Sequence, residues 1–208
     1  MRAAVYIYEG TEPIDLATIG VLSMARRVIP EISMFTIARK SGIVETANGL
    51  KVLADYSFDS APESDVLIIT GGPGWVREAE SAETLAFIRR YSERAAVASV
   101  CTGGMILAAT GLLDGHAATT KCEITCTEQS PLKLMRERYP AINAASANII
   151  DCGRIVTGGG VTLCIDMTLY LIERFHGVEA ARETARIMEY SAARAANAVR
   201  LETIVAKA

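Results

Sequence analysis

Short, nearly unbroken apolar runs alternate along this chain with longer stretches in which apolar residues recur at helical spacing. Ala3 to Tyr8 predicts a first strand, Asp15 to Val28 an amphipathic helix, and Ile32 to Ala38 a second strand. Two short strands follow between Ile43 and Ala54, joined through Asn48-Gly49, a dipeptide suited to the positive φ angles of a tight hairpin. Asp65 to Thr70 reads as a buried strand, and the turn Gly71-Gly72-Pro73-Gly74 leads through Trp75 into a helix around Ala82 to Ser92. Ala96 to Val100 is a small-residue strand ending on Cys101, and Met105 to Leu113 is a buried helix. Strands at Ser146 to Ile150 and Arg154 to Thr157 meet at Asp151-Cys152-Gly153. Gly158-Gly159-Gly160 then opens a helix over Thr162 to His176, followed by another over Val178 to Met188 and an alanine-rich end that is helical or frayed. This alternation predicts an α/β protein with a parallel central sheet.

A length of 208 residues, half of them hydrophobic, suits a single domain over 1–208. No apolar run reaches the length of a membrane span, and the start Met1-Arg2-Ala3-Ala4 lacks a signal-peptide layout, so no membrane partner and a cytoplasmic location are expected. The net charge of −3, with Lys and Arg scattered, leaves no basic footprint for nucleic acid. Five cysteines, an odd number, suit free thiols in a reducing compartment. Cys152 at a Gly-Arg turn and Cys164 at a helix start read as packing residues. Cys122 and Cys126 are spaced to share a helix face but lack the second pair that a zinc site needs, so no metal is expected.

Cys101 carries the most chemistry. A strand ending on a cysteine, followed by Thr102-Gly103-Gly104 and a helix, parallels the nucleophile elbow of hydrolases with sulfur in place of the hydroxyl. Unpaired N–H groups and the dipole at a helix start favour a thiolate and lower a cysteine pKa from about 8.5 toward roughly 3.5–7.5. In parallel sheets ligands bind beyond the carboxyl ends of the strands, and there Cys101, the Gly71–Gly74 turn and Asp15 converge. Gly72 and Thr102 are candidate backbone donors to an oxyanion, and Gly71, Gly74 and Trp75 candidate pocket residues. The turn is otherwise a plain strand-to-helix connection. Asp15 is either a helix N-cap or an acid beside Cys101, in which case thiol and carboxyl titrate as a coupled pair and a protonated Asp15 serves as general acid. His116 lies in a glycine-flanked turn, and His176 ends a helix, where a cation gains from the dipole.

Several ordered pieces together resemble the ThiJ/PfpI superfamily of the class I glutamine-amidotransferase-like fold, and within it isocyanide (isonitrile) hydratases. They are Pro13-Ile14-Asp15-Leu16, Gly71 to Gly74, Ser99 to Gly103, Ala108 to Gly115 with Ala118-Thr119-Thr120, Thr157 to Gly160 with Ile165-Asp166, and Glu189-Tyr190. The resemblance implies a flavodoxin-like three-layer sandwich, a homodimer and no cofactor. It assigns Cys101 as nucleophile, Asp15 as its acidic partner and Thr102 as a hydroxyl contributor, acting on a small electrophilic substrate: water adds to an isocyanide through a Cys101 thioimidate to give an N-formamide. Two departures bear on the pocket. Lys121-Cys122 stands where relatives carry His-Trp, with Lys121 expected as a surface or pocket-rim charge, and Ser191 to Ala195 replaces a proline-rich stretch. Neither histidine sits where a Cys-His triad of this fold needs it, which weighs against protease, amidotransferase, glyoxalase or deglycase activity. A redox or small-molecule sensor built on an oxidisable Cys101, or else a glyoxalase- or deglycase-like enzyme, is the alternative. Related regulators continue into a DNA-binding domain, whereas this sequence stops soon after Tyr190.

Overall fold

The computed structural model describes residues 1–206. Its chain order is β1 (Arg2–Tyr6), α1 (Ala17–Ala25), β2 (Ser33–Ala38), the hairpin β3 (Gly42–Glu45) and β4 (Lys51–Ala54), β5 (Tyr56–Ser57), β6 (Val66–Ile69), α2 (Trp75–Glu80), α3 (Ala82–Ser92) and β7 (Ala96–Ser99). The second half contains α4 (Gly103–Ala109), β8 (Ala117–Ala118), α5 (Pro131–Arg138), β9 (Asn143–Ala144), β10 (Ile149–Asp151), β11 (Ile155–Gly158), α6 (Cys164–His176), α7 (Val178–Ile187), α8 (Ser191–Arg200) and β12 (Thr203–Val205). Eight strands form one sheet in the order β12-β10-β11-β7-β6-β1-β2-β5. All neighbouring pairs are parallel except β10 with β11, so β10 and β12 run against the other six strands. The result is a flavodoxin-like α/β sandwich.

The apolar runs are unbroken because the central strands are buried on both faces, and the period of two sorts their side chains. Ala3, Val5 and Ile7 join Val66 and Ile68 in a core with α1, α6 and α7. Ala4, Tyr6 and Tyr8 join Leu67 and Ile69 in a second core with α3, α4 and α5. In the second core Phe58 and Phe87 stack at 4.0 Å, and the Tyr6 hydroxyl donates to buried Glu78 at 2.6 Å. Among the described residues no helix is long and apolar enough to cross a membrane.

Several expected elements differ. The helix expected from Asp15 begins instead as a 3-10 turn, Pro13–Leu16, before α1. Proline at the first helical position and the Glu12 carboxylate, which accepts from Ile14 N at 3.4 Å, open that turn, so the cap is Glu12 and not Asp15. The Gly71–Gly74 turn passes directly into α2 before α3 begins at its own Ser81 cap. The alanine-rich end is helical, and it returns a short strand that pairs Ile149 with Thr203. Helix α5 was not expected, although Ser130-Pro131 is a cap followed by proline, and the Ser130 side chain accepts from Lys133 N. Cys122 and Cys126 lie in an irregular stretch and share no helix face. The His176 pKa is lowered, by burial and then by the Met1 ammonium 3.0 Å from its Nε2, so the expected dipole-stabilised cation is opposed.

The turn after β7 works only with small residues. A Cβ on Gly103 would overlap the Ile69 and Thr70 carbonyls, whereas one on Gly20, on the open side of α1, would meet nothing. Gly103→Ala is therefore expected to lower unfolding free energy by about 1–3 kcal/mol, and Gly20→Ala to raise it by about 0.5–1 kcal/mol. Urea denaturation midpoints of the two variants check both signs.

Candidate active site

Three loops meet at the carboxyl ends of β1, β6 and β7. Val100 N donates to Ile69 O at 3.0 Å and Cys101 N to Gly159 O at 2.9 Å, which holds Cys101 between its neighbouring strands with φ at 52°. A non-glycine residue there costs on the order of 1–3 kcal/mol, and the surrounding hydrogen bonds hold it in place. This is the strained strand-to-helix elbow anticipated from the residue pattern.

Asp15 is fully buried, because its 3-10 turn points the carboxyl inward. Its Oδ2 accepts the Gly71 N–H at 2.6 Å, and its Oδ1 is buried with no hydrogen-bond partner. Burial raises the Asp15 pKa from 3.8 to about 7; the Gly71 N–H opposes this, Glu12 adds to it, and the neighbouring Cys101 opposes it weakly. The Cys101 thiol is also pushed up, first by burial and then by the negative charge of Asp15, against donors at Thr102 and the positive charge of Lys121. This corrects the expectation of a low-pKa thiolate. A helix terminus contributes about 0.3–2 kcal/mol, whereas burial can move a pKa by roughly 3–5 units. Near neutral pH the two acids therefore share protons as a pair.

Thr102 is buried next to the sulfur, and both its N–H and its hydroxyl favour the thiolate. The glycines behave differently from expectation. Gly72 N donates to Thr102 Oγ1 at 2.8 Å, so it is not open to an oxyanion, and Gly71 N is committed to Asp15. Gly71 and Gly74 do not line the cavity. They permit close backbone approach: a Cβ on Gly71 would press on Thr102 and Cys101, and one on Gly74 would overlap Glu9 O. Trp75 does line it.

The cavity at the thiol encloses about 320 Å³. Pro73, Trp75, Leu134 and Val161 form apolar walls, with Glu12 and Lys121 among its polar residues. Lys121 is a rim charge, as anticipated, and pairs with Glu128 at 3.2 Å. Leu134 and Val161 escaped the sequence reading because nothing local signals which loop folds over which strand end. Cys164, read as packing, is indeed buried, but it lies behind Asp15, whose charge helps burial push its thiol up to about 12. Cys152 is half-buried at its turn. Among the described residues no three His, Cys, Asp or Glu side chains group as metal ligands.

A model of the DJ-1/PfpI family matches residues 1–174. The chain belongs to the DJ-1/PfpI family. Within it, the chain is 30% identical to the isonitrile hydratase of Pseudomonas putida over 168 residues, covering 79% of this chain and 69% of the hydratase. It is 32% identical to the HTH-type transcriptional regulator GbdR of Pseudomonas aeruginosa over 150 residues, 71% of this chain but only 38% of the regulator. Among solved structures, a ThiJ/PfpI family protein from Pseudomonas syringae superposes with a TM-score of 0.78 at 26% identity, over 91% of this chain and 75% of that one. Oxidised Toxoplasma gondii DJ-1 superposes at 0.75 and 22% identity, over 91% and 98% of the two chains, a likeness of fold. The DJ-1/PfpI fold thus accompanies both an enzyme and regulators among these relatives.

The raised Asp15 pKa carries a stability signature. Because the folded protein holds the Asp15 proton more tightly than the unfolded chain, stability is greatest below about pH 4, falls as pH rises toward about 7, and levels off above that. The displacement corresponds to at most about 4 kcal/mol. Asp15→Asn removes this slope, so the variant should gain on the native protein at pH 8 relative to pH 4.5. Urea unfolding at the two pH values measures the difference.

Proposed function

We propose that this protein is a cysteine-dependent hydratase acting on isocyanides. The observation that carries this reading is the buried Cys101 and Asp15 beneath an apolar cavity, with Asp15 Oδ1 free of any hydrogen-bond partner. An isocyanide is a compact neutral electrophile that such a cavity admits, and its addition chemistry needs one nucleophile and one group that moves protons.

The thiol adds to the terminal carbon. A bond forms between Sγ and carbon, and the sulfur proton passes through the Asp15 carboxylate to that carbon, giving a thioimidate. Thr102 N–H stabilises the negative charge on sulfur as it develops. Water then adds to the thioimidate carbon and delivers one proton to nitrogen. Collapse of the adduct breaks the C–S bond, and the remaining hydroxyl proton returns through Asp15 to sulfur. Isocyanide and water become an N-formamide, with nothing oxidised or reduced and no cofactor used.

Similarity to an isonitrile hydratase supports this reading. The buried thiol with its upward-shifted pKa argues against a redox sensor, which depends on an accessible thiolate. The same reading includes a homodimer, for which exposed Leu50 and Leu53 of the β3–β4 hairpin offer apolar area. It also includes a cytoplasmic setting, in keeping with five free cysteines.

Formamide formation from an aryl isocyanide, followed by ultraviolet absorbance, is expected for the native protein and should vanish in Cys101→Ala; turnover surviving that change would refute the mechanism. The kcat/KM profile should rise through about pH 7, where the pair passes to its one-proton state, and that limb should be missing in Asp15→Asn. A native protein that is inert to isocyanides yet alkylates rapidly at Cys101 would keep the site and overturn the substrate.

A further inference from the structure

The thiol cavity adjoins a second space. Glu12, Lys121 and Val161 line both it and a chamber of about 470 Å³ bounded by the 3-10 turn after β1, the loop between β11 and α6, and the end of α8. A cleft of about 460 Å³ at the carboxyl ends of β1 and β2, by contrast, shares no lining residue with the thiol cavity. Its arginines are answered within the fold, Arg39 by Glu78 and Glu83 and Arg77 by Glu78.

The adjoining chamber is mostly apolar. Exposed Ile14 and half-exposed Val161 and Leu201 supply its surface, together with buried Ala147 and Leu163. None of these five belongs to either core of the sheet, so their apolar area is not already spent there. At Gly160, which has an ordinary φ of −60°, an added Cβ would meet no atom within 4 Å, so the loop borders open space. Along the two spaces three carboxylates, Glu12, Glu123 and Glu128, stand against two cations, Lys121 and Arg200, and Lys121 is paired with Glu128 at 3.2 Å. That balance leaves no positive surplus to hold an anion, and the walls suit a neutral apolar group.

An isocyanide is linear through its terminal carbon, its nitrogen and the first atom of its substituent. When the carbon meets Sγ, the substituent is therefore directed away from the sulfur and out of the thiol cavity. We propose that the chamber receives that substituent, and that the substrates of this protein are isocyanides with an extended, neutral apolar tail. This rests on the hydratase reading and adds to it the class of substrate.

The test titrates the full-length native protein with N-alkylformamides, the product shape, from methyl to octyl, and measures Kd by calorimetry. Between butyl and octyl, Kd should fall about two- to fourfold with each methylene buried. N-Octylformamide should also slow iodoacetamide alkylation of Cys122, which lines the chamber, and leave exposed Cys126 unaffected, as read by peptide mass mapping. Gly160→Leu, which places a side chain in the open space, should abolish the dependence on tail length. Leu201→Ala, the second variant, should weaken octyl binding on the order of fivefold. A Kd independent of tail length, Cys122 alkylation unchanged by the probe, or the native dependence retained in both variants would each overturn the chamber. An octyl chain ending in a carboxylate that binds as tightly as octyl itself would overturn the neutral tail. Turnover of methyl isocyanide beside a flat length series would overturn the chamber and keep the hydratase. A clear length series with no isocyanide turned over would overturn the isocyanide as substrate and keep the chamber as a site for apolar tails.

Discussion

The buried 2.6 Å hydrogen bond from Gly71 N–H to Asp15 Oδ2 is the contact around which the thiol's surroundings are arranged. A buried carboxylate needs donors or a proton, and here one oxygen has a backbone donor while the other has none. The next N–H, that of Gly72, goes to Thr102 Oγ1 beside the sulfur. Two successive backbone donors therefore tie the turn after β6 to the 3-10 turn after β1 and to the elbow after β7. Both positions must be glycine for steric reasons: a Cβ on Gly71 would meet Thr102, and one on Gly72, at φ 137°, would overlap Glu12 N and Gly10 O.

Those ties also set the electrostatics. The start of α4 alone argues for a stabilised thiolate, yet the same packing that shapes the elbow removes water from Cys101 and Asp15 together. Desolvation then outweighs the dipole, and each group's ionisation opposes the other's. Such a pair is poor at resting as a thiolate and well suited to passing one proton back and forth. That distinction separates a hydration mechanism from a peroxide-sensing one more sharply than the presence of the cysteine does.

On the carboxyl edge of the sheet the Gly71–Gly74 turn separates two clefts of different character. One is largely apolar and holds the thiol; the other is lined by tyrosine and rimmed by paired charges, Arg39 and Arg77 with Glu78 and Glu83. Relatives of the DJ-1/PfpI family include a hydratase and regulators, and a fold that offers two separate concavities on one edge has room for such divergence. Function follows from what lines each cleft rather than from the sheet that carries both.

Local pattern was enough for the strands of the parallel core, the Asn48-Gly49 hairpin, the helices after Gly160 and the elbow at Cys101. Each depends on periodicity or turn chemistry contained within a few neighbouring residues. It was also enough to nominate Asp15 and Thr102, through an ordered set of short motifs. Contacts across the fold were beyond it. Glu12 displaced Asp15 from the cap, the Gly71 and Gly72 N–H groups went to side chains far away in sequence, and Leu134 and Val161 came to wall the cavity. Strand β12 escaped notice because so short a segment becomes a strand only when β10 offers it an edge. Burial decided the protonation of Cys101 and Asp15, since the dielectric around a thiol depends on every segment packed over it and not on the residues beside it in the chain.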